Sequence, residues 1–332
     1  MHELRNHINR TEGLAKLAKE TVPRKTLSFY RYVEIADPAQ LRNTLFQEWE
    51  RLGVLGRVYL AHEGINAQIS IPETFVSALQ AHLETVPEFQ GVPMKFAIEE
   101  PDVSFWKLTI KVRKQIVADN LPAGTYDISN VGNHLNAKAW NEAIASGAIV
   151  VDMRNRYEST IGKFRNAITP AAQTFHEELP EVLHTLSEKK DQKILLYCTG
   201  GIRCEKASAY LKHHGFQDVN QLHGGIIQYK HDVEREGLEN AFRGKNYVFD
   251  GRMAETISDE ILGTCYTCKS PADTYINCMS DLCHAHFIQC AACQTRTLGT
   301  CSLACQDIAA RPADERVKIR KNRKATFAIL TS

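Results

Sequence analysis

The feature that most constrains the fold is the junction around Cys198. Ile194-Leu195-Leu196-Tyr197 is a short apolar run that reads as a buried parallel strand. It runs into Cys198-Thr199-Gly200-Gly201-Ile202-Arg203 and then a helical stretch, Cys204 to Gly215, with Ala207, Tyr210 and Leu211 on one face. A strand, a Gly-containing turn and a helix in that order build an alternating β/α layer. The junction also sets a chemistry. Loop N–H groups and the positive end of the helix dipole converge on the sulfur, and Arg203 adds a full charge, so thiolate is favoured over thiol. Cys198 is the candidate nucleophile, with Arg203 beside it and Thr199, Gly200, Gly201 and Ile202 supplying the loop backbone. The alternative is a buried structural cysteine at a tight turn.

The chain's 332 residues suffice for two or three domains with their own cores, and 43% hydrophobic content suits a globular protein. The formal net charge of +1 gives no global argument for nucleic acid, so any such argument rests on local patches. No apolar run approaches membrane-spanning length, and Met1-His2-Glu3-Leu4-Arg5 lacks the apolar core of a signal peptide. A cytoplasmic protein without membrane contact is expected. Ten cysteines in a reducing compartment point to catalysis and metal binding before disulfides.

Residues 1–26 read as a polar helical arm. Residues 27–120 read as an α+β domain. Leu27 to Val33 is strand-like, and Asp37-Pro38 starts a helix to about Leu52, with the aspartate as cap and proline at the first position. Val54 to Ala61 and Ile65 to Ile71 are strands joined by His62-Glu63-Gly64. Pro72 opens a second helix to about Val86, and Lys107 to Val117 is a further strand. The order β-α-β-β-α-β predicts a ferredoxin-like fold. Residues 121–243, after the turn-rich Leu121-Pro122-Ala123-Gly124, alternate strands and helices as a doubly wound parallel sheet does. Active sites in such sheets lie beyond the carboxyl ends of the strands, where Asp152-Met153-Arg154 and the Cys198 loop both point.

Residues 244–310 are cysteine-rich: Cys265-x2-Cys268, Cys278-x4-Cys283, Cys290-x2-Cys293 and Cys301-x3-Cys305. Each close pair supplies two thiolates to one tetrahedral metal, and four pairs complete two four-cysteine sites, for which structural zinc is expected. His284 and His286 are candidate substitutes, and sequential and interleaved pairings both stay open. A regulatory dithiol cluster is the alternative. Metal would also let a short segment with few large apolar residues fold. The tail, 311–332, is basic, with Arg320 and Lys321 as candidate nucleic-acid contacts; a solvated tail is the plainer reading. In the strand from Lys107 to Arg113, Leu108, Ile110 and Val112 face one way, while Lys107, Thr109, Lys111 and Arg113 face the other. That basic stripe can follow a phosphate backbone or be an ordinary exposed strand face.

Four residues separate Cys198 from Arg203. Cysteine-based phosphatases place five there, whereas the shorter loop resembles the rhodanese family, which carries sulfur as a cysteine persulfide. Ile149 to Arg154 with Glu158 resembles the rhodanese strand ending in Asp-x-Arg. Gly162 to Ile168 resembles its Gly-His-Ile-x-Gly-Ala segment, with Lys163 at the usual histidine, and Leu222-His223-Gly224-Gly225-Ile226 resembles its closing turn. Over about Pro23 to Cys305 the chain resembles the bacterial rhodanese-like tRNA uridine hydroxylases. The strings Gly56 to Gln68, Tyr197 to Ala207 and Gly244 to Asp250 carry that similarity.

The resemblance implies oxygen-dependent conversion of the wobble uridine of certain tRNAs to 5-hydroxyuridine, with molecular oxygen as co-substrate. No flavin, haem or nicotinamide motif is seen, nor a clear two-histidine, one-carboxylate iron site, so Cys198 is the obvious reactive group. Two schemes suit it. In one, Cys198 adds to the uracil ring and makes the ring electron-rich enough to meet oxygen; in the other, it holds an oxidised or persulfide sulfur that transfers the oxygen. Cys204 is either a small buried helix residue or a resolving thiol. Asp152 and Arg154 are expected to orient the loop through charge-assisted hydrogen bonds. The turn His62-Glu63-Gly64 with Asn66 is a further candidate contact. A sulfurtransferase using a Cys198 persulfide would leave the N-terminal domain without a role, and a pure adaptor need not keep the loop. The sequence names no protein partner.

Overall fold

Alternation with a period of two divides the first sheet into an apolar face and a polar one. A computed structural model describes residues 4–100, 103–322 and 327–331 of the chain. They form two compact units: Met1–Asn155 with Asn166–Glu239 and Val248–Arg252, and Arg156–Arg165 with Asn240–Tyr247 and Met253–Ser332.

The first unit opens with α1 (Arg10–Leu17), whose Asn9 cap and Glu12 form a reciprocal capping box. Strands β1 (Arg24–Tyr32), β2 (Leu55–Ala61), β3 (Gly64–Pro72), β4 (Lys95–Phe96) and β5 (Leu108–Val112) make a sheet of order β4-β1-β3-β2-β5. Helices α2 (Pro38–Arg51) and α3 (Val76–Thr85) contribute Leu45, Phe46, Trp49, Leu79 and Leu83 to the core shared with Phe29, Val58, Leu60, Ile65 and Ile69. The side chain of Asp37 caps α2 by accepting from the Ala39 and Gln40 amides.

The expected ferredoxin-like order is present, with two differences. The strand closing the β-α-β-β-α-β set is the two-residue β4, too short to show a period. The predicted strand at 107–117 is instead an added fifth strand, β5, parallel to β2 on the opposite edge. It stops at Val112, which is 42% exposed at the sheet's end.

A second sheet in this unit is wholly parallel: β6 (Asn133–Leu135), β7 (Ile149–Asp152), β9 (Lys193–Tyr197) and β10 (Asp218–Leu222), in the order β6-β10-β9-β7. Helices α4 (Ala137–Ala145), α6 (Phe175–Thr185), α7 (Ile202–His213) and α8 (Gly225–Glu236) alternate with these strands. Between β7 and α6 the chain visits the second unit, where it forms α5 (Arg156–Thr160) and β8 (Gly162–Phe164). Helix α7 starts at Ile202 rather than Cys204, so Arg203 already lies in its first turn.

The second unit pairs β8 with β11 (Phe242–Tyr247), which pairs in turn with β12 (Ala254–Thr256), all antiparallel. A small sheet of β13 (Tyr275–Asn277), β14 (His286–Ile288) and β15 (Ile329–Leu330) carries α9 (Ala291–Thr297), α10 (Leu303–Ala309) and α11 (Ala313–Asn322) around the cysteines. Among the described residues no helix is long and apolar enough to cross a membrane.

Candidate active site and metal-binding clusters

Strand β9 ends at Tyr197 and delivers Cys198, fully buried, onto the loop before α7. The Gly201 amide donates to Cys198 Sγ at 3.1 Å. Burial alone would push this thiol up. A hydrogen bond from Cys204, the Arg203 charge and the amides of Arg203 and Gly201 outweigh it and hold the thiol at about 6. The loop is pinned by the first turn of α8: the Ile226 amide donates to the Cys198 carbonyl (3.0 Å) and the Ile227 amide to that of Thr199 (3.2 Å). Gly225 makes this approach feasible. At φ +68° its absent Cβ would lie 2.6 Å from both carbonyl oxygens.

Asp152 and Arg154 form a fully buried bidentate pair, with Nε to Oδ1 at 2.8 Å and Nη2 to Oδ2 at 2.7 Å. Tyr197 donates its hydroxyl to Asp152 Oδ2 at 2.7 Å, and the Met153 amide donates to the Tyr197 carbonyl. Neither Asp152 nor Arg154 is among the residues lining the cavity described next, and the Arg154 guanidinium lies 5.5 Å from the Tyr197 ring centroid.

Cys198, Thr199, Gly200, Ile202 and Arg203 line a cavity of about 470 Å³. Its other wall is the polar face of the first sheet. The register aligns Ser28 with Gln68, Gln68 with Arg57 and Arg57 with Thr109 across four strands; the next row is Tyr30, Asn66, Tyr59 and Lys111. Lys95, opposite Ser28, lies with its ammonium 4.5 Å from the Tyr30 ring centroid. Burial brings this lysine down to about 8, against the upward pull of the Cys198 and Glu205 charges. The two layers are also bonded directly. Tyr30 donates to Glu205 (2.8 Å), Tyr32 to the Ile202 carbonyl (3.1 Å), and Lys206 pairs with Glu63 (2.9 Å) and Asp119 (3.2 Å).

Cys265, Cys268, Cys290 and Cys293 converge as one group, and Cys278, Cys283, Cys301 and Cys305 as another, with all sulfurs of a group within 4.8 Å of one another. The pairing is therefore interleaved. Cys268–Cys290 is 3.8 Å, while Cys283–Cys301 and Cys301–Cys305 are each 3.7 Å. A disulfide is about 2.05 Å. A tetrahedron with metal–sulfur bonds of about 2.3 Å has edges of about 3.8 Å, so each group could bind a metal ion. His284 is exposed and His286 stacks on Tyr275 at 4.5 Å; neither belongs to a group.

Three family models match the chain in succession: a UPF0176 acylphosphatase like domain over residues 24–116, a Rhodanese-like domain over 135–232 and Rhodanase C-terminal over 243–306. A tRNA uridine(34) hydroxylase of Leptospira interrogans is 49% identical over 309 residues, which is 93% of this chain and 84% of that protein. The protein of that name in Cronobacter sakazakii is 45% identical over 98% of this chain and 93% of its own length. The chain belongs to the tRNA uridine(34) hydroxylase family. It is an enzyme.

The predicted basic stripe continues beyond β5 in the structure. Lys111 and Arg113 are exposed, Arg113 sits over the Tyr59 ring at 5.6 Å, and Lys107 is half-buried over Trp106 at 4.6 Å. Register carries the stripe through Tyr59 and Arg57 into the cavity wall, which the sequence reading missed. Alternation along 57–59 and 66–68 held the signal: polar residues there interleave with Val58 and Ala67. Lys95 gave no such signal, because β4 is only two residues long. The string Gly244 to Asp250 places Val248, Phe249 and Asp250 on the cavity wall, where Arg252 holds Asp250 at 2.6 Å. Arg320 is exposed on α11, and the Lys321 side chain lies outside the described residues.

Proposed function

We propose that this chain converts the wobble uridine of tRNA to 5-hydroxyuridine, with molecular oxygen as co-substrate and the Cys198 thiolate as the attacking group. The observation that carries the reading is the cavity itself, with an activated cysteine on one wall and a polar, partly basic sheet face on the other. Its volume is in the range of small-ligand sites. The relatives' names supply the substrate class.

The parts divide the work in a consistent way. The uracil edge offers one N–H donor and two carbonyl acceptors, and the amides of Asn66 and Gln68 carry both complements. Arg57, Lys107, Lys111 and Arg113 follow the tRNA backbone, joined by Arg320 and Lys321 on the tail. Thiolate addition to C6 of uracil makes C5 nucleophilic toward oxygen. Arg203 and the loop amides stabilise the thiolate, and Lys95 faces the charge that develops on the ring. Asp152 and Arg154 position the loop. Structural zinc is the ion proposed for both four-thiolate groups, whose closed donor sets leave no open coordination position. The proposed partition is an arm (1–26), a base-facing sheet (27–120), a thiol-bearing domain (121–243), a metal-bound region (244–310) and a tail, acting in the cytoplasm.

The test is to incubate unmodified tRNA with protein, air and a dithiol reductant and read the nucleosides by mass spectrometry. Wild type forms 5-hydroxyuridine; Cys198→Ser forms none while binding tRNA with unchanged affinity. Retained turnover in Cys198→Ser would contradict the reading.

A further inference from the structure

We infer that Cys204 is a second catalytic thiol, which attacks the Cys198 sulfur at the end of each turnover and leaves a Cys198–Cys204 disulfide. The inference rests on the hydroxylation proposed above and answers a question that reaction raises. Reducing oxygen to the level of one hydroxyl group and one water takes four electrons. The uracil C–H bond supplies two, and the other two need a source.

The geometry points to Cys204. Eight of the ten cysteines fall in the two metal-binding groups, which leaves Cys198 and Cys204. Both are fully buried in one apolar cluster. The Cys204 amide donates to the Gly201 carbonyl at 3.0 Å and the Gly201 amide donates to the Cys198 sulfur at 3.1 Å, so Gly201 bridges the two cysteines. Between the two cysteines lie Gly200 and Gly201, and a Cβ at Gly200 would meet nothing within 4 Å, so that side of the loop is open.

The steps balance. Cys198 thiolate adds to C6, and the electron pair moved onto C5 forms a bond to oxygen; protonation gives a C5 hydroperoxide. Loss of the C5 proton and cleavage of the O–O bond release water and leave a C5 carbonyl. Cys204 thiolate then attacks the Cys198 sulfur. The S–C6 bond breaks, its electron pair enters the C5 carbonyl as an enolate, and a proton completes 5-hydroxyuridine. The sum is uridine, oxygen and two thiols giving 5-hydroxyuridine, water and one disulfide. A dithiol reductant resets the pair.

The environment times the attack. Burial raises the Cys204 thiol well above its ordinary range, and the hydrogen bond to and charge of Cys198 raise it further, against the pull of Arg203. Once Cys198 is bonded to carbon its charge is gone, and the Arg203 charge remains to favour the Cys204 thiolate.

Reduced full-length protein, freed of reductant, is given unmodified tRNA and oxygen, then alkylated and cut with trypsin without reduction. Cleavage after Lys193, Arg203 and Lys206 puts the two cysteines on separate peptides, Ile194–Arg203 and Cys204–Lys206. Wild type should stop at one 5-hydroxyuridine per chain, with linked peptides matching product, and resume when a dithiol is added; without tRNA the peptides stay alkylated. Cys204→Ser and Cys204→Ala should lose turnover and accumulate a covalent protein–tRNA adduct. Many turnovers without reductant, with both thiols still alkylated, would overturn the inference, as would wild-type turnover in either variant. Should the variants fold poorly, the wild-type peptide map decides alone. Hydroxylation without the disulfide sinks only this inference, whereas no 5-hydroxyuridine under oxygen and dithiol sinks the parent reading with it.

Discussion

The Tyr30 hydroxyl donates to Glu205 Oε1 at 2.8 Å, tying the polar face of the first sheet to the helix that follows the reactive loop. Glu205 also meets His134 (3.0 Å) and Gln221 (2.7 Å), so the tyrosine joins a network that fixes where α7 begins. Tyr30→Phe should cost about 1–2 kcal/mol of stability, as loss of one partner from a half-buried charged acceptor does. It should also slow product formation. Chemical denaturation and nucleoside mass spectrometry check the two effects together.

Lys206 is buried between Asp119 and Glu63, at 3.2 and 2.9 Å, and its Nζ also donates to the Val117 carbonyl at 2.9 Å. Replacing it with methionine leaves a buried carboxylate without its counter-ion, at a cost of about 3–5 kcal/mol. Thermal unfolding of Lys206→Met should show that loss. A variant as stable as wild type would contradict the role assigned to the pair.

The Cys198 thiol at about 6 fixes a pH dependence. The reactive form is the thiolate, so single-turnover rate should rise with pH through about 6 and level off above it. Removing the Arg203 charge with Arg203→Gln takes away a cause of the lowering, and the acidic limb should move toward higher pH. Rates measured between pH 5 and 8.5 separate the two profiles.

Each chain should carry two metal ions, one per four-thiolate group. Cys268→Ser and Cys283→Ser should each lower the content by one as measured by elemental analysis, since they belong to different groups. Stripping both ions should unfold the region around them, because its folding free energy comes largely from metal binding.

The stripe on β5 should act through charge. Lys111→Ala and Arg113→Ala should each weaken tRNA binding and reduce its salt slope by about 1. Arg57→Ala should impair turnover as well, because Arg57 lines the cavity.

The Cys198 loop was legible because its signal is local: an apolar strand, two glycines and an arginine within ten residues. The four cysteine pairs were equally plain, but their interleaving was not, since spacing within a pair says nothing about which pairs meet. The cavity wall was hidden for a related reason. Arg57, Asn66 and Tyr30 share a face only through cross-strand register, and β4, which carries Lys95, is too short for a pattern to show. Asp152 and Arg154 were read as part of the reactive centre. In the structure Asp152 accepts from the Tyr197 hydroxyl, next to Cys198, a contact that sequence spacing alone does not show.

The most direct test of the central claim is incubation of the protein with unmodified tRNA under heavy-isotope oxygen gas, followed by nucleoside mass spectrometry. The isotope matters because inserting oxygen and replacing oxygen with sulfur change nominal mass almost identically. The account predicts one heavy oxygen in a modified uridine, dependent on Cys198. A sulfur-bearing uridine without label would contradict it and make the chain a tRNA sulfurtransferase.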